Sequence, residues 1–259
     1  MVIGEIRNMK PQLSALLFHS PRKKAIVVSL AVIGMFAVWL LIDRVDESMR
    51  GELLIQTLLI SKTIDHSDIA VLEGNESDLD KPEYLKIKRQ FAAIKNLSAN
   101  YRFVYLMGRR DDGVIFFYAD NEPVGSEDES PAGMIYDDVP DGFRKALDTG
   151  VSSVEGPYTD AWGEFVSGCT PIIDDSGKTV ALLGVDYDAR TWKAVLAKKL
   201  SIPVALLIAF FIIVSVLLQK RNTALKNEIN EKKKAEAKLT VFKNALENAM
   251  DAIGMADAK

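Results

Sequence analysis

The chain has 259 residues, of which 48% are hydrophobic and 26% are charged, and its formal net charge is −4 at pH 7. This charge gives no indication of nucleic-acid binding, and a single cysteine excludes an intrachain disulfide. Only two histidines are present, and the sequence contains no Gly-rich phosphate loop, no Ser–His–Asp order and no metal-spaced His/Cys cluster. We therefore expect neither an enzyme nor a protein with a cofactor or a metal.

Two apolar runs without a charged residue predict membrane-spanning helices. They cover residues 25–42 and 201–218, and each has about the length that an α-helix needs to cross the hydrocarbon core of a bilayer. A cleaved signal peptide is the alternative for the first run. Its preceding segment is long, however, and no small-x-small cleavage site follows Trp39. An uncleaved anchor is the expected state.

Basic residues beside the two runs predict the orientation, because such residues stay on the cytoplasmic side of a membrane. They occupy positions 22–24 before the first run and 220–221 after the second. Residues 1–24 and 219–259 are therefore predicted to be cytoplasmic, and residues 43–200 extracytoplasmic, in a two-pass protein of the cell (inner) membrane.

Charge is divided unevenly between the two sides. Residues 43–199 carry 29 acidic and 18 basic side chains, a net charge of −11, whereas the remainder carries 7 acidic and 14 basic side chains, a net charge of +7. Lys198 and Lys199 on the outer flank of the second run argue against the orientation. Lysine side chains near a helix end can extend to the membrane interface, so the prediction is kept.

The extracytoplasmic part is long enough for one hydrophobic core. Apolar residues recur at helical spacing over 43–65, in continuation of the first span, and again after Pro82. From Tyr101 the period changes from 3.6 to 2. Residues 121–140 are predicted to be a long loop or a loop with short helices, followed by a short helix at 143–147. Five strands are predicted, at 101–107, 114–119, 151–155, 164–173 and 179–186. The predicted fold class is α+β, with a long N-terminal helix packed on an antiparallel sheet of about five strands.

Four segments in this domain carry a resemblance. They are 101–107 (YRFVYLM), 126–133 (SEDESPAG), 155–163 (EGPYTDAWG) and 184–188 (GVDYD). In this order they resemble the PAS-like extracytoplasmic sensor domains of the Cache class, found in bacterial and archaeal sensor kinases and diguanylate cyclases. The resemblance covers about residues 45–195. It implies a long N-terminal helix on one face of an antiparallel sheet and a small-ligand pocket on the other face.

A sensing pocket needs a few polar groups that converge in a mostly apolar cavity. Strand alternation places Tyr101, Phe103 and Tyr105 on one face of their strand. Asp186 ends an apolar strand, where a buried carboxylate needs a partner, either an amine-bearing ligand or a nearby Arg or hydroxyl group. The candidate residues are Tyr105, Tyr118, Tyr158, Asp160, Trp162, Ser167 and Asp186.

Alternative interpretations apply to the same residues. Aromatic residues in strands are commonly core residues with a satisfied polar tip. Tyr158, Asp160 and Trp162 are predicted to lie in a loop, where binding groups concentrate, but Asp160 also fits a simple turn. The acidic segment 120–129 offers oxygen ligands to a hard cation, but it lacks the spacing of a calcium loop, so a solvated loop is expected.

The cytoplasmic end is predicted to be a signalling helix, residues 219–245. Leu218, Leu225, Leu239 and Leu246 repeat at multiples of seven, so a coiled-coil homodimer would bury this seam. Segment 231–239 (EKKKAEAKL) resembles the signalling helix that joins membrane receptors to cytoplasmic PAS domains. Segment 246–257 (LENAMDAIGMAD) is similar to the opening of such a domain, so we expect 246–259 to be its truncated start.

These predictions describe a signal-transduction receptor. Its extracytoplasmic domain would sense a small molecule and relay binding through the second span to a sensor histidine kinase or diguanylate cyclase output that the chain lacks. The alternative is a membrane-anchored interaction module whose outer domain docks a periplasmic partner protein and binds no small ligand.

Overall fold

The computed structural model describes residues 21–256. Their elements, in chain order, are helices α1 (Pro21–Ser61) and α2 (His66–Ala70), a 3₁₀ turn (Glu76–Asp78), helix α3 (Pro82–Leu97), strands β1 (Tyr101–Arg109) and β2 (Ile115–Asp120), helix α4 (Asp141–Thr149), strands β3 (Ser153–Asp160), β4 (Gly163–Ile173) and β5 (Thr179–Asp188), and helix α5 (Ala189–Ala256). The described residues form two compact units. One comprises those up to Phe36 and from Pro203 onward, and the other is Ala37–Ile202.

The predicted α+β fold class is confirmed for the unit Ala37–Ile202. Its five strands form one antiparallel sheet in the order β2-β1-β5-β4-β3. Because β1 and β5 are central, they carry side chains that are buried on both faces of the sheet. The change of period at Tyr101 marks the start of the sheet, as the sequence predicted.

The sheet separates two apolar clusters. On one face, Met49 and Leu53 of α1 and Tyr84 and Phe91 of α3 pack against Val104 and other strand residues. On the opposite face, a second cluster contains Phe103, Tyr105, Met107, Phe117, Phe143 and Phe165. The long helix thus covers one face of the sheet, and aromatic side chains gather on the other.

Strand β3 is longer than the sequence predicted. It runs from Ser153 to Asp160, so Tyr158 and Asp160 belong to a strand and not to a loop, while Trp162 lies in the turn to β4. The segment 153–160 contains Gly156, Pro157 and several polar residues, so it lacks the alternation of apolar and polar residues by which a strand is predicted. Its edge position tolerates this composition because only one side pairs, with β4.

Two irregularities occur in the pairing of β1, and the first corrects the predicted face of Tyr101. A register shift between Tyr101 and Phe103 turns Tyr101 toward α1, where its hydroxyl donates to Gln56 Oε1 at 2.9 Å. A second shift leaves Tyr118 without a pairing residue on β1. A bulge of this kind sends two successive residues to the same face. Tyr118 and the next residue, Ala119, accordingly both pack in the helix-side cluster, on the face opposite Phe117.

The unit that comprises the residues up to Phe36 and from Pro203 onward is built from the first part of α1 and most of α5. Both helices contain a stretch that is long and apolar enough to cross a membrane, and neither stretch is buried. Gly34 lies against the ring of Phe211, where an added Cβ would come within 3.2 Å of Cε2. Small residues allow such close approach between membrane helices.

Candidate ligand-binding site

A pocket opens on the sheet face opposite α1. Its walls hold six aromatic rings, those of Phe103, Tyr105, Phe117, Tyr136, Trp162 and Phe165. Its polar groups are Asp120, Asp128, Ser130, Asp160 and Asp186. The empty space at the pocket is about 310 Å³ when the part open to solvent is included, and about 20 Å³ of it admits the centre of a water molecule. This is the apolar cavity with a few converging polar groups that small-molecule sites require.

Asp186 of β5 is a buried carboxyl group of the pocket, at 3% exposure. Tyr105 donates its hydroxyl proton to Asp186 Oδ1 at 2.9 Å, and Ser167 also hydrogen-bonds to this carboxyl. Burial raises the pKa of Asp186 to about 7, although these two hydrogen bonds oppose the rise. Strand pairing explains the cluster, since Ser167 of β4 lies opposite Asp186.

Asp160 is the last residue of β3 and lines the pocket. Its Oδ1 accepts the backbone N–H groups of Trp162 at 2.9 Å and Gly163 at 3.2 Å, which form the turn into β4. Its Oδ2 accepts the hydroxyl of Tyr136 at 2.8 Å. The turn thus fixes the Trp162 ring, which packs edge-on against Phe117 at 5.7 Å and Tyr136 at 5.9 Å.

The other two pocket carboxylates are paired with cations, the buried Lys88 and the half-buried Arg102. Lys88 of α3 contacts Asp120 at 2.9 Å and Glu129 at 2.7 Å. Arg102 contacts Asp128 at 2.5 Å, and its guanidinium lies 4.0 Å from the centre of the Phe103 ring. The segment after β2 is therefore not simply a solvated loop, because Asp120 and Glu129 are buried and paired. Together these contacts position the loop that forms one wall of the pocket.

The tyrosine hydroxyls of the site act as neutral groups. Burial raises the pKa of Tyr105, Tyr136 and Tyr158, and the Asp186 carboxyl adds to the effect on each. Since they stay protonated, they serve as hydrogen-bond donors and not as bases. Within the described residues no group of three or more His, Cys, Asp or Glu side chains is placed to hold a metal ion.

Four of the sequence candidates line the pocket, namely Tyr105, Asp160, Trp162 and Asp186. Tyr158 and Ser167 lie directly behind it, with their hydroxyls 2.9 Å apart. Tyr118 lies on the helix side and is not part of the site. Sequence reasoning missed several lining residues, Phe103, Phe117, Asp120, Asp128, Ser130, Tyr136 and Phe165. Phe117 could have been predicted from the hairpin, because it faces the same side of the sheet as Tyr105. Tyr136 could not, because it lies in an irregular segment that has no periodic pattern of apolar residues.

No protein-family model and no curated protein matches the sequence. Among solved structures, the chain is similar to the ligand-binding domain of the Campylobacter jejuni chemoreceptor Tlp3 in complex with L-valine, at 19% identity and a TM-score of 0.44. That match covers 70% of this chain and 68% of the other. Another Tlp3 sensory-domain structure is matched over 64% of its length, which is less than two thirds, with 18% identity, 63% of this chain and a TM-score of 0.41.

A third similar structure is the sensor domain of Escherichia coli DcuS. It shares 14% identity with this chain, and the match covers 53% of this chain and 98% of the DcuS domain at a TM-score of 0.31. These neighbours are the ligand-binding or sensory domains of a chemoreceptor and the sensor domain of DcuS.

Proposed function

We propose that the chain is a two-pass membrane receptor whose domain at residues 43–200 is an extracytoplasmic, Cache-type sensor of a small molecule. The observation that carries this proposal is the aromatic pocket with Asp186 at its base. A buried carboxyl group that meets only hydroxyl groups is costly unless it is protonated or a ligand supplies the missing partner. A structural role alone does not account for the open space beside it.

The contacts around Arg50 support transmission from the pocket to the membrane helices. Arg50 of α1 donates to the carbonyl of Gly156 in β3 at 2.8 Å, and to Asp46 at 2.7 Å. Asp46 also accepts the indole N–H of Trp192, in the first turn of α5, at 2.8 Å. The strand that carries Tyr158 and Asp160 is therefore hydrogen-bonded into the same network as both long helices.

The remaining parts of the proposal follow from the sequence. Segments 25–42 and 201–218 span the membrane, 219–245 forms a dimeric signalling helix, and 246–259 leads toward a cytoplasmic domain. The output is proposed to be of the histidine kinase or diguanylate cyclase type. The exposed apolar side chains of Leu225, Ile229, Leu239 and Phe242 support a partner helix along this segment.

The full chain in lipid nanodiscs tests the sensor function through thermal unfolding in the presence of amines, amino acids, carboxylates and sugars. A ligand that binds only the folded state raises the melting temperature by mass action. We expect at least one compound to stabilise the wild type and Leu97→Ala, which changes an exposed residue, but not Trp162→Ala. Stabilisation by none of them, together with saturable binding of a periplasmic protein, would establish the interaction-module alternative instead.

A further inference from the structure

The charges of the pocket are only half compensated. Asp120 and Asp128 are paired with Lys88 and Arg102, as described above. Asp160 and Asp186 have no Lys, Arg or His nitrogen within 4 Å among the described side chains. Their hydrogen bonds come from hydroxyl and backbone N–H groups alone. Two carboxyl groups thus face the same small space without a counter-ion.

None of the residues that line the pocket in the described part of the chain is basic. The lining comprises six aromatic residues, four aspartates and one serine. A ligand carboxylate would therefore enter beside two carboxyl groups and lose its hydration, while Lys88 and Arg102 beside the pocket are already paired with other acidic residues. Burial of an unpaired charge of this kind is strongly unfavourable and opposes tight binding.

The aromatic walls favour the opposite charge. Cations are attracted to the faces of Trp, Tyr and Phe rings, and cages of such rings recognise ammonium groups. Trp162, Tyr136 and Phe117 pack against one another with centroids 5.2–5.9 Å apart, next to Asp160. Since about 20 Å³ admits the centre of a water molecule, the cation that fits has few heavy atoms or displaces part of the wall.

We propose that the pocket binds a small organic cation, an ammonium compound that carries no carboxylate. Its charged nitrogen lies between Asp160 and Asp186, and its carbon atoms contact the rings of Trp162 and Phe117. This inference rests on the proposed sensor function and narrows its ligand to one chemical class. Amino acids, which carry a carboxylate as well as an ammonium group, are excluded from the class.

Three matched compounds separate the charges of a candidate ligand. Alanine carries both groups, ethylammonium is alanine without its carboxylate, and propionate is alanine without its ammonium. We would titrate each into the full chain in nanodiscs by calorimetry at pH 8, together with n-butylammonium and tetramethylammonium, which extend the size of the cation. Ethylammonium or a larger ammonium ion is expected to bind at least tenfold more tightly than alanine, and propionate is not expected to bind.

Two variants locate the binding site. Asp186→Asn removes the uncompensated charge and should weaken ammonium binding by a factor of ten or more, because a charge-assisted hydrogen bond is lost. Asp175→Asn removes a carboxylate that lies outside the pocket and is 95% exposed, and it should change the affinity less than threefold. At pH 5 the Asp186 carboxyl is mainly protonated and uncharged, like the amide of Asn. If wild type and Asp186→Asn have the same melting temperature at this pH, the variant is folded.

The outcomes distinguish the two proposals. If alanine or propionate binds as tightly as ethylammonium, and Trp162→Ala abolishes that binding, the sensor function stands and the ligand class is wrong. The class is also wrong if no ammonium compound binds while a neutral compound from the wider screen does. If nothing in the wider screen stabilises the chain through the pocket, the sensor function itself is contradicted.

Discussion

Asp186 makes the stability of the domain depend on pH. Its pKa is raised to about 7 in the folded protein, above the ordinary value of 3.8, so the folded state holds a proton that the unfolded state releases. The stabilisation is complete below about pH 4 and is lost as the pH rises to about 7. We expect the melting temperature of the wild type in nanodiscs to fall across this window and to level off above it.

The Asp186→Asn variant isolates this effect, because its amide does not titrate. Burial also raises the pKa of Asp120, so the wild type alone does not assign the pH dependence to one group. The melting temperature of the wild type minus that of Asp186→Asn should be larger at pH 5 than at pH 8. A difference that is constant with pH would mean that Asp186 is ionised throughout.

Lys88 should be needed for folding of the pocket wall. Its side chain is 9% exposed and forms ion pairs with both Asp120 and Glu129, whose side chains are 3% and 6% exposed. Lys88→Met leaves two buried carboxylates without a cation and is expected to cost about 3–5 kcal/mol of unfolding free energy. Denaturant unfolding measures this loss, and Asp120→Asn in the same chain should restore part of it.

Lys86→Met is the matched control for Lys88→Met. Lys86 lies on the same helix and pairs with Asp68 at 2.6 Å, but its side chain is 54% exposed. Exposed ion pairs contribute about 0.2–1 kcal/mol, so this variant should remain close to the wild type. Equal losses in the two lysine variants would mean that the buried pairs contribute no more than a surface pair.

Between elements, the hydrogen bond from Trp192 to Asp46 joins the first turn of α5 to α1. Trp192→Phe keeps an aromatic ring against Tyr187, which it contacts edge-on at 5.5 Å, but removes the indole donor. We expect a loss of about 2 kcal/mol of unfolding free energy, the scale of a hydrogen bond to a charged acceptor. A double-mutant cycle with Arg50→Met should show coupling, since both side chains bond to Asp46.

A second double-mutant cycle, of Trp192→Phe with Leu97→Ala, is the control. Its losses should be additive, because Leu97 is 83% exposed and shares no described contact with Asp46. Additive losses for Trp192→Phe and Arg50→Met would contradict a shared network. In that case Asp46 would serve the two donors independently, and the proposed connection between β3 and α5 would lose its support.

The element pattern was predicted from the sequence more fully than the site. The helices and the antiparallel sheet follow from apolar periods, which depend on the residues of each segment alone. The face of Tyr101 was predicted incorrectly because bulges depend on pairing with a neighbouring strand. Tyr136 was missed because it reaches Asp160 from irregular chain, through a contact across 24 positions that no local pattern encodes.

For the whole chain, the predicted topology requires residues 43–200 to lie on the outer side of the membrane. A reporter enzyme that is active only in the periplasm, inserted near Gly125, should therefore be active, and the same reporter after residue 230 should be inactive. Lys199, which opposed this orientation in the sequence, forms an ion pair with Glu52 at 2.9 Å and need not face the membrane. The reverse pattern of reporter activity would contradict the proposed architecture.

The placement of Asp186 also bears on what such a receptor would measure. Below pH 7 a proton already occupies the carboxyl group to which an organic cation must bind, so the two compete for one position. Each unit of acidity below that point should raise the half-saturating concentration of the cation about tenfold. A cell that carries this receptor would then respond to the ratio of the concentration of the organic cation to that of free protons. The same concentration of the cation would occupy fewer receptors in an acidic habitat.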